Sequence, residues 1–201
     1  MKIAPVLWML ILLAGCEGVS NDEAHRVQDV LGISNGVRVA DIGAGQGDLT
    51  AHLAGAVGAS GRVYATEIDA TLLEQLAARF AALPQVSVLP AGTHTSGLPD
   101  ACCEALVMRN VYHHLSDPEP ILASLHAALV PGGRLLIIDF GPSWLLAPWT
   151  PDDLPADRTG HGIEPEIIVR EAQARGFELD RLLPDWAQGG HGAFAVLLRR
   201  P

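Results

Sequence analysis

The chain has 201 residues, 49% of them hydrophobic and 18% charged, which is enough for one domain with a full core. Thirteen basic residues against 23 acidic ones leave a formal net charge of −10. That balance excludes an electrostatic role on DNA or RNA backbones and fits an acidic surface that serves solubility.

The first elements in the chain are a positive Lys2 and the apolar run Ile3 to Leu13. Those eleven residues are too few for a bilayer span, which takes about 20, and they suit the h-region of a signal peptide. Leu13-Ala14-Gly15-Cys16 resembles the lipobox of bacterial lipoproteins. The resemblance implies a signal peptide over residues 1–15, a lipid on Cys16 and a location at the bacterial cell envelope. A linker over 16–21 and one domain over 22–201 would follow; an unprocessed leader would leave the chain in the cytoplasm.

After the leader, Ser20-Asn21-Asp22-Glu23 reads as a capping box in which Ser20 caps a helix and Glu23 reaches back. Ala24, Val27, Val30 and Leu31 recur at helical spacing until Gly32. Val37–Ile42 is a strand, Gln46–Val57 a helix and Arg62–Ile68 a second strand. Ala70–Ala82 is a helix with Leu72, Leu73, Leu76 and Phe80 inward. Val86–Ala91 and Ala105–Val111 are the third and fourth strands. Pro118–Val130 is a helix with proline in its first turn, and a Pro131-Gly132-Gly133 turn leads to a fifth strand, Arg134–Asp139. A long proline-bearing segment, 140–163, precedes a helix over Glu164–Arg175 and two last strands, Phe177–Pro184 and Ala193–Arg199. Cys102 and Cys103 are adjacent, an awkward geometry for a disulfide, and read as small buried residues ahead of a strand. No histidine and cysteine spacing resembles a zinc motif.

Alternating strands and helices predict an α/β, Rossmann-like doubly wound sheet, mostly parallel. Such sheets bind ligands at the carboxyl ends of their strands, where Asp41, Glu67, Asn110 and Asp139 fall. Between the first strand and the next helix stands "DIGAGQGD", with Gly43, Gly45 and Gly47 where the backbone bends and a ligand can approach. The dinucleotide spacing is G-x-G-x-x-G, but here it is G-x-G-x-G, and Asp48 occupies the third glycine's place. An anion there is awkward beside a pyrophosphate. Asp41 suits a ligand ammonium, and Glu67 suits the two hydroxyls of a ribose. A ligand with a ribose, a positive amino acid and no phosphate fits S-adenosylmethionine.

"VRVADIGAGQGDLT", "RVYATEID" and "ALVMRNVYHHLSDPEPILASLHAALVPGGRLLIIDF" together resemble the ordered motifs of class I S-adenosylmethionine-dependent methyltransferases, over roughly residues 22–200. The resemblance implies seven strands with the last antiparallel. It implies that Asp41, Gly43, Ala44, Gly45 and Gly47 line the methionine part of the cofactor. Glu67 would hold the ribose and Ile68 flank the adenine, with Asn110 and Val111 near the sulfonium. The family often has an acid after the third strand for the adenine amino group; here the run is Gly92-Thr93-His94-Thr95, and Thr93 or His94 would substitute more weakly.

Methyl transfer demands mainly alignment, and at times a base. Tyr112, His113 and His114 are candidates for that base; His113 and Asp139 are taken as the catalytic pair. Arg158 and His161 could contact an acceptor, and Trp144 and Trp149 could wall its pocket, while Asp152, Asp153 and Asp157 read as a solvated loop face. Met108 reads as core. The expected function is methyl transfer to a small-molecule acceptor with no metal and no nucleic acid. The alternative is a non-catalytic envelope-tethered binding module on the same fold.

Overall fold

The computed structural model describes residues 18–143, 161–186 and 192–201. The leader, Cys16, Trp144, Trp149, Asp152, Asp153, Asp157 and Arg158 lie outside the described residues. In chain order the elements are α1 (Asn21–Leu31), β1 (Arg38–Ile42), α2 (Asp48–Val57), β2 (Arg62–Glu67), α3 (Ala70–Phe80) and β3 (Val86–Pro90). Then come β4 (Cys103–Arg109), a 3-10 turn (Tyr112–His114), α4 (Pro118–Ala128), β5 (Leu129–Phe140), α5 (Pro165–Ala174), β6 (Glu178–Leu183) and β7 (Ala193–Arg199).

The seven strands form one sheet in the order β3-β2-β1-β4-β5-β7-β6. β1 pairs in parallel with β2 and β4, β2 with β3, and β4 with β5, whereas β7 is antiparallel to both β5 and β6. This is the doubly wound sheet with an antiparallel last strand that the sequence predicts. Neighbouring residues on the central strands face opposite ways, so the strands feed two cores. Val39, Val107 and Leu136 pack with Val27 of α1 and Leu53 of α2. Ala40, Leu106 and Leu135 pack with Leu125 of α4 and Ile168 of α5 on the other face. Continuous apolar runs in β4 and β5 follow from this burial on both sides.

Several boundaries differ from expectation for local reasons. The helix expected from Gln46 starts at Asp48, because Gly45 and Gly47 hold left-handed φ values of 56° and 84°. The fourth strand ends at Arg109 because Asn110 turns left-handed, φ 55°, and the 3-10 turn follows. Pro131-Gly132-Gly133 is not a free turn: β5 already runs from Leu129, and the Gly132 N–H donates to the Arg200 carbonyl at 2.8 Å. Leu72 and Leu73 are only half-buried, and Leu76 and Phe80 carry the inner face of α3.

Two pairings also differ. Ser20 caps α1 as expected, its Oγ accepting from the Glu23 N–H at 3.2 Å. Glu23 does not reach back; its Oε1 accepts from Arg109 Nε at 2.9 Å and Trp186 Nε1 at 3.2 Å. With both partners charged, the pairing with Arg109 is stronger than a return to a neutral backbone N–H. Cys102 and Cys103 are both buried as expected, yet their sulfurs are joined as a vicinal disulfide, with α-carbons 3.8 Å apart. A turn through left-handed Ala101, φ 49°, precedes the pair.

The segment after β5 leaves and returns at one place. Ser143 N–H donates to the His161 carbonyl at 2.8 Å, and Ile163 N–H donates to the Phe140 carbonyl at 2.9 Å. Gly162 sits at the crossing, φ 112°, where an added Cβ would lie 2.6 Å from the Gly141 oxygen. His161 is thereby fixed beside the end of β5.

Candidate functional site

A cleft of about 370 Å3 opens beyond the carboxyl ends of β1 to β4. That volume is in the range of small-molecule sites. Of the residues expected to bind a cofactor, Gly43, Glu67, Ile68, Thr93 and Val111 line it. Asp41, Ala44, Gly45, Gly47 and Asn110 surround the same turn and strand ends but lie outside its lining.

The glycine turn shows why each glycine is there. A Cβ on Gly47 would lie 2.6 Å from Leu76 Cδ2 and 2.7 Å from Phe80 Cε2, so this glycine lets α3 pack against the turn. A Cβ on Gly43 would strike Val111 Cγ2 at 2.7 Å. A Cβ on Gly45 would meet nothing within 4 Å, so its backbone borders open space. Asp48, in the first turn of α2, pairs with Arg79 at 2.8 Å, so a carboxylate already stands at this helix end.

Glu67 ends β2 and is buried, 7% exposed. Its Oε2 accepts from Gly45 N–H at 2.9 Å, and its Oε1 from Ile68 N–H at 2.8 Å and Asp69 N–H at 3.1 Å. The carboxylate thus fixes the glycine turn against the end of β2. A carboxylate has about four lone-pair sites, so one is left for a ligand hydroxyl. Ile68 beside it is 60% exposed, an apolar side chain largely open to the cleft. Thr93 Oγ1 sits 2.9 Å from His94 Nδ1, and Ser96, buried at the cleft wall, shares a 2.7 Å hydrogen bond with Ser124. Asp41 is buried and its Oδ2 accepts from Thr50 Oγ1 at 2.6 Å. Burial pushes its pKa up to about 6, against the lowering pull of Thr50 and Arg109.

At the other end of the cleft the three candidate bases part company. Tyr112 is fully buried and its hydroxyl donates to Glu171 Oε2 at 2.7 Å, away from any ligand. His113 is buried; its Nδ1–H donates to Asp139 Oδ1 at 2.8 Å and its backbone N–H to Asp139 Oδ2 at 3.1 Å. Asp139 also accepts from the Phe140 N–H at 2.9 Å. The expected pair is therefore in contact, with Asp139 orienting the imidazole. His114 is the one of the three that lines the cleft. Burial among its neighbours, with His113 and His161 adjacent, pushes its pKa down to about 4, so it is neutral at neutral pH. His161 stacks edge-on to His113 at 4.8 Å between ring centroids. Met108, fully buried as expected of core, also contributes to the cleft wall. Ile42, Ala91, Gly92, Thr95 and Ile121 of α4 also line it, as do Ser96, Leu115 and Ser116, which the sequence did not single out. The signal for those three was position alone, in the loops that follow β3 and β4.

Comparison with known proteins agrees with this geometry. The family model described as a methyltransferase domain matches residues 40–137. A ubiquinone/menaquinone biosynthesis C-methyltransferase of Psychromonas ingrahamii is 31% identical over 115 residues, 56% of this chain and 46% of that protein. An uncharacterised methyltransferase of Mycobacterium bovis is 36% identical over 117 residues, 55% of this chain and 57% of that protein. The chain spans about half the length of the curated relatives it matches. A crystal structure of an S-adenosylmethionine-dependent methyltransferase from Aquifex aeolicus superposes with a TM-score of 0.72 at 22% identity, covering 89% of each chain. The chain shares the fold of class I methyltransferases, and residues 40–137 match the methyltransferase-domain model.

Proposed function

We propose that the chain is an S-adenosylmethionine-dependent methyltransferase acting on a small-molecule acceptor. The observation that carries this reading is the cleft at the strand ends, where the glycine turn, Glu67 and an uncovered Ile68 meet within the methyltransferase match. The residues present fit the cofactor. Gly45 borders open space, Glu67 keeps acceptor capacity, and Ile68 offers an apolar face to a base. Asp41 is a buried carboxylate whose charged form is disfavoured by burial, and a nearby ammonium would favour it.

On this reading Glu67 accepts from one ribose hydroxyl, Ile68 packs on the adenine and Thr93 takes its polar edge. Asp41, Gly43, Ala44, Gly45 and Gly47 surround the methionine part, and Asn110 and Val111 border the reacting end. When bound, the cofactor supplies a methyl group already activated by its sulfonium. The protein's task is then to align the acceptor and keep water out. Asp139 holds His113, and His114 presents a neutral imidazole at the cleft.

Calorimetry on the full chain with S-adenosylmethionine, S-adenosylhomocysteine and NAD tests the reading. The first two should bind and NAD should not; binding of NAD alone would overturn it. No observation favours the non-catalytic module. A lipid anchor at Cys16 is proposed from the Leu13-Ala14-Gly15-Cys16 motif. Fatty-acid labelling that persists in Cys16→Ala would reject the anchor.

A further inference from the structure

We propose that His113, His114 and His161 form a site for a zinc-class divalent metal ion at the edge of the cofactor cleft. One ring nitrogen from each histidine lies within 4.8 Å of the others. Two of the three come from the 3-10 turn after β4, and the third from the point where the chain returns to β5. The turn and the return cross at a fixed place, because the backbones of Phe140 and Ser143 hold Ile163 and His161.

The tautomer of His113 is set for ligation. Asp139 takes the proton-bearing Nδ1 at 2.8 Å, which leaves Nε2 as the lone pair. Nε2 is buried, on a side chain 2% exposed, and has no hydrogen-bond partner among the described residues. A buried lone pair with nothing to accept is costly, and a cation removes the cost. A carboxylate on the far nitrogen of a ligating histidine is the usual second layer of a metal site. Asp139 is in turn pinned by the N–H groups of His113 and Phe140.

The donor set chooses the class of ion. Three imidazoles with no carboxylate among them suit zinc and its transition-metal neighbours, not magnesium or calcium. Tetrahedral ligation at zinc–nitrogen distances of 2.0–2.1 Å brings ligand nitrogens to about 3.4 Å apart, so the rings close inward on binding. Three protein ligands leave a fourth position, the arrangement of catalytic rather than structural zinc. His114 is both a ligand and part of the cleft wall, so that position adjoins the cleft. Resting on the methyltransferase reading, the ion would take a hydroxyl or thiol of the acceptor and release its proton to water.

The sequence expectation was that no metal is bound, because the histidine spacing matches no linear zinc motif. The structure brings residue 161 to residues 113 and 114, a grouping that spacing does not encode.

Zinc titration of the full chain, with cobalt(II) as a spectroscopic stand-in, tests the site without cofactor present. One equivalent should bind, and cobalt should give the visible absorption of a four-coordinate nitrogen site. His114→Ala and His161→Ala should each weaken zinc binding at least tenfold with an unchanged circular-dichroism melt; His113 is left in place because it is buried. No uptake by the wild type, or unaltered affinity in both variants, would overturn the proposal. If zinc binds as expected while S-adenosylmethionine does not, the functional reading fails and the metal site stands.

Discussion

The ends of β2 and β5 solve the same problem in two ways. Each carries a buried carboxylate, Glu67 or Asp139, and each carboxylate accepts three hydrogen bonds. All three donors to Glu67 are backbone N–H groups, so it sets the shape of the glycine turn. One donor to Asp139 is the His113 imidazole, so it sets the orientation and tautomer of a side chain. On the proposed reading, the first end is a mould for a ligand that brings its own reactivity, and the second prepares a protein group to ligate.

The largest expected effect breaks the β2 end. Glu67→Ala should lower S-adenosylmethionine affinity by roughly 100-fold, since hydrogen bonds to a charged group are worth about 1.5–3 kcal/mol each. Calorimetry reads it, and an affinity within threefold of wild type would detach Glu67 from the cofactor.

Asp41, at the end of β1, sharpens the comparison because its hydrogen-bond donor is the Thr50 hydroxyl and burial dominates. Its ordinary pKa of 3.8 is raised to about 6 in the folded chain. The folded chain therefore holds an extra proton between those values, and stability falls as pH rises through that window. The drop should be about 3 kcal/mol between pH 4 and pH 6 and level above it. Asn at 41 keeps an acceptor for Thr50 and should flatten that slope in urea titrations run at several pH values. An unchanged slope would assign it to another group.

Asp139→Asn should cost about 2 kcal/mol of stability through the weakened His113 contacts, yet leave cofactor affinity within about threefold. A large loss of affinity would erase the distinction between the two ends. The smallest effect is at Gly45. Ala there should cost about 1 kcal/mol for its left-handed backbone, and it should weaken cofactor binding by filling open space.

What was legible in the sequence was whatever local chemistry encodes. Ala193–Arg199 reads as a strand from its own apolar run, and it is one. Asp41, Glu67 and Asp139 read as strand-end acids because the strands before them are unmistakable. Pairings across long stretches of chain were not legible. Glu23 reads as a capping partner three residues from Ser20, and only the folded chain brings Arg109 and Trp186 to it. Tyr112 reads as a candidate base until Glu171, 59 residues on, takes its hydroxyl. His161 reads as a candidate acceptor contact, and only the backbone pairing of Ser143 with it shows that it stands beside His113. The contrast between Gly45 and Gly47 was hidden for the same reason, since Leu76 and Phe80 arrive from the next helix.

β7 lies between β5 and β6 in the sheet, although it follows β6 in the chain. During synthesis β6 leaves the ribosome first and has no ladder to join, because its pairing in the sheet is with β7. Its charged residues Glu178, Asp180 and Arg181 suit a strand that waits unpaired and must resist joining another chain. The strand that emerges after β6 is thus the one that ties it into the sheet, and removing residues 193–199 would release two strands rather than one.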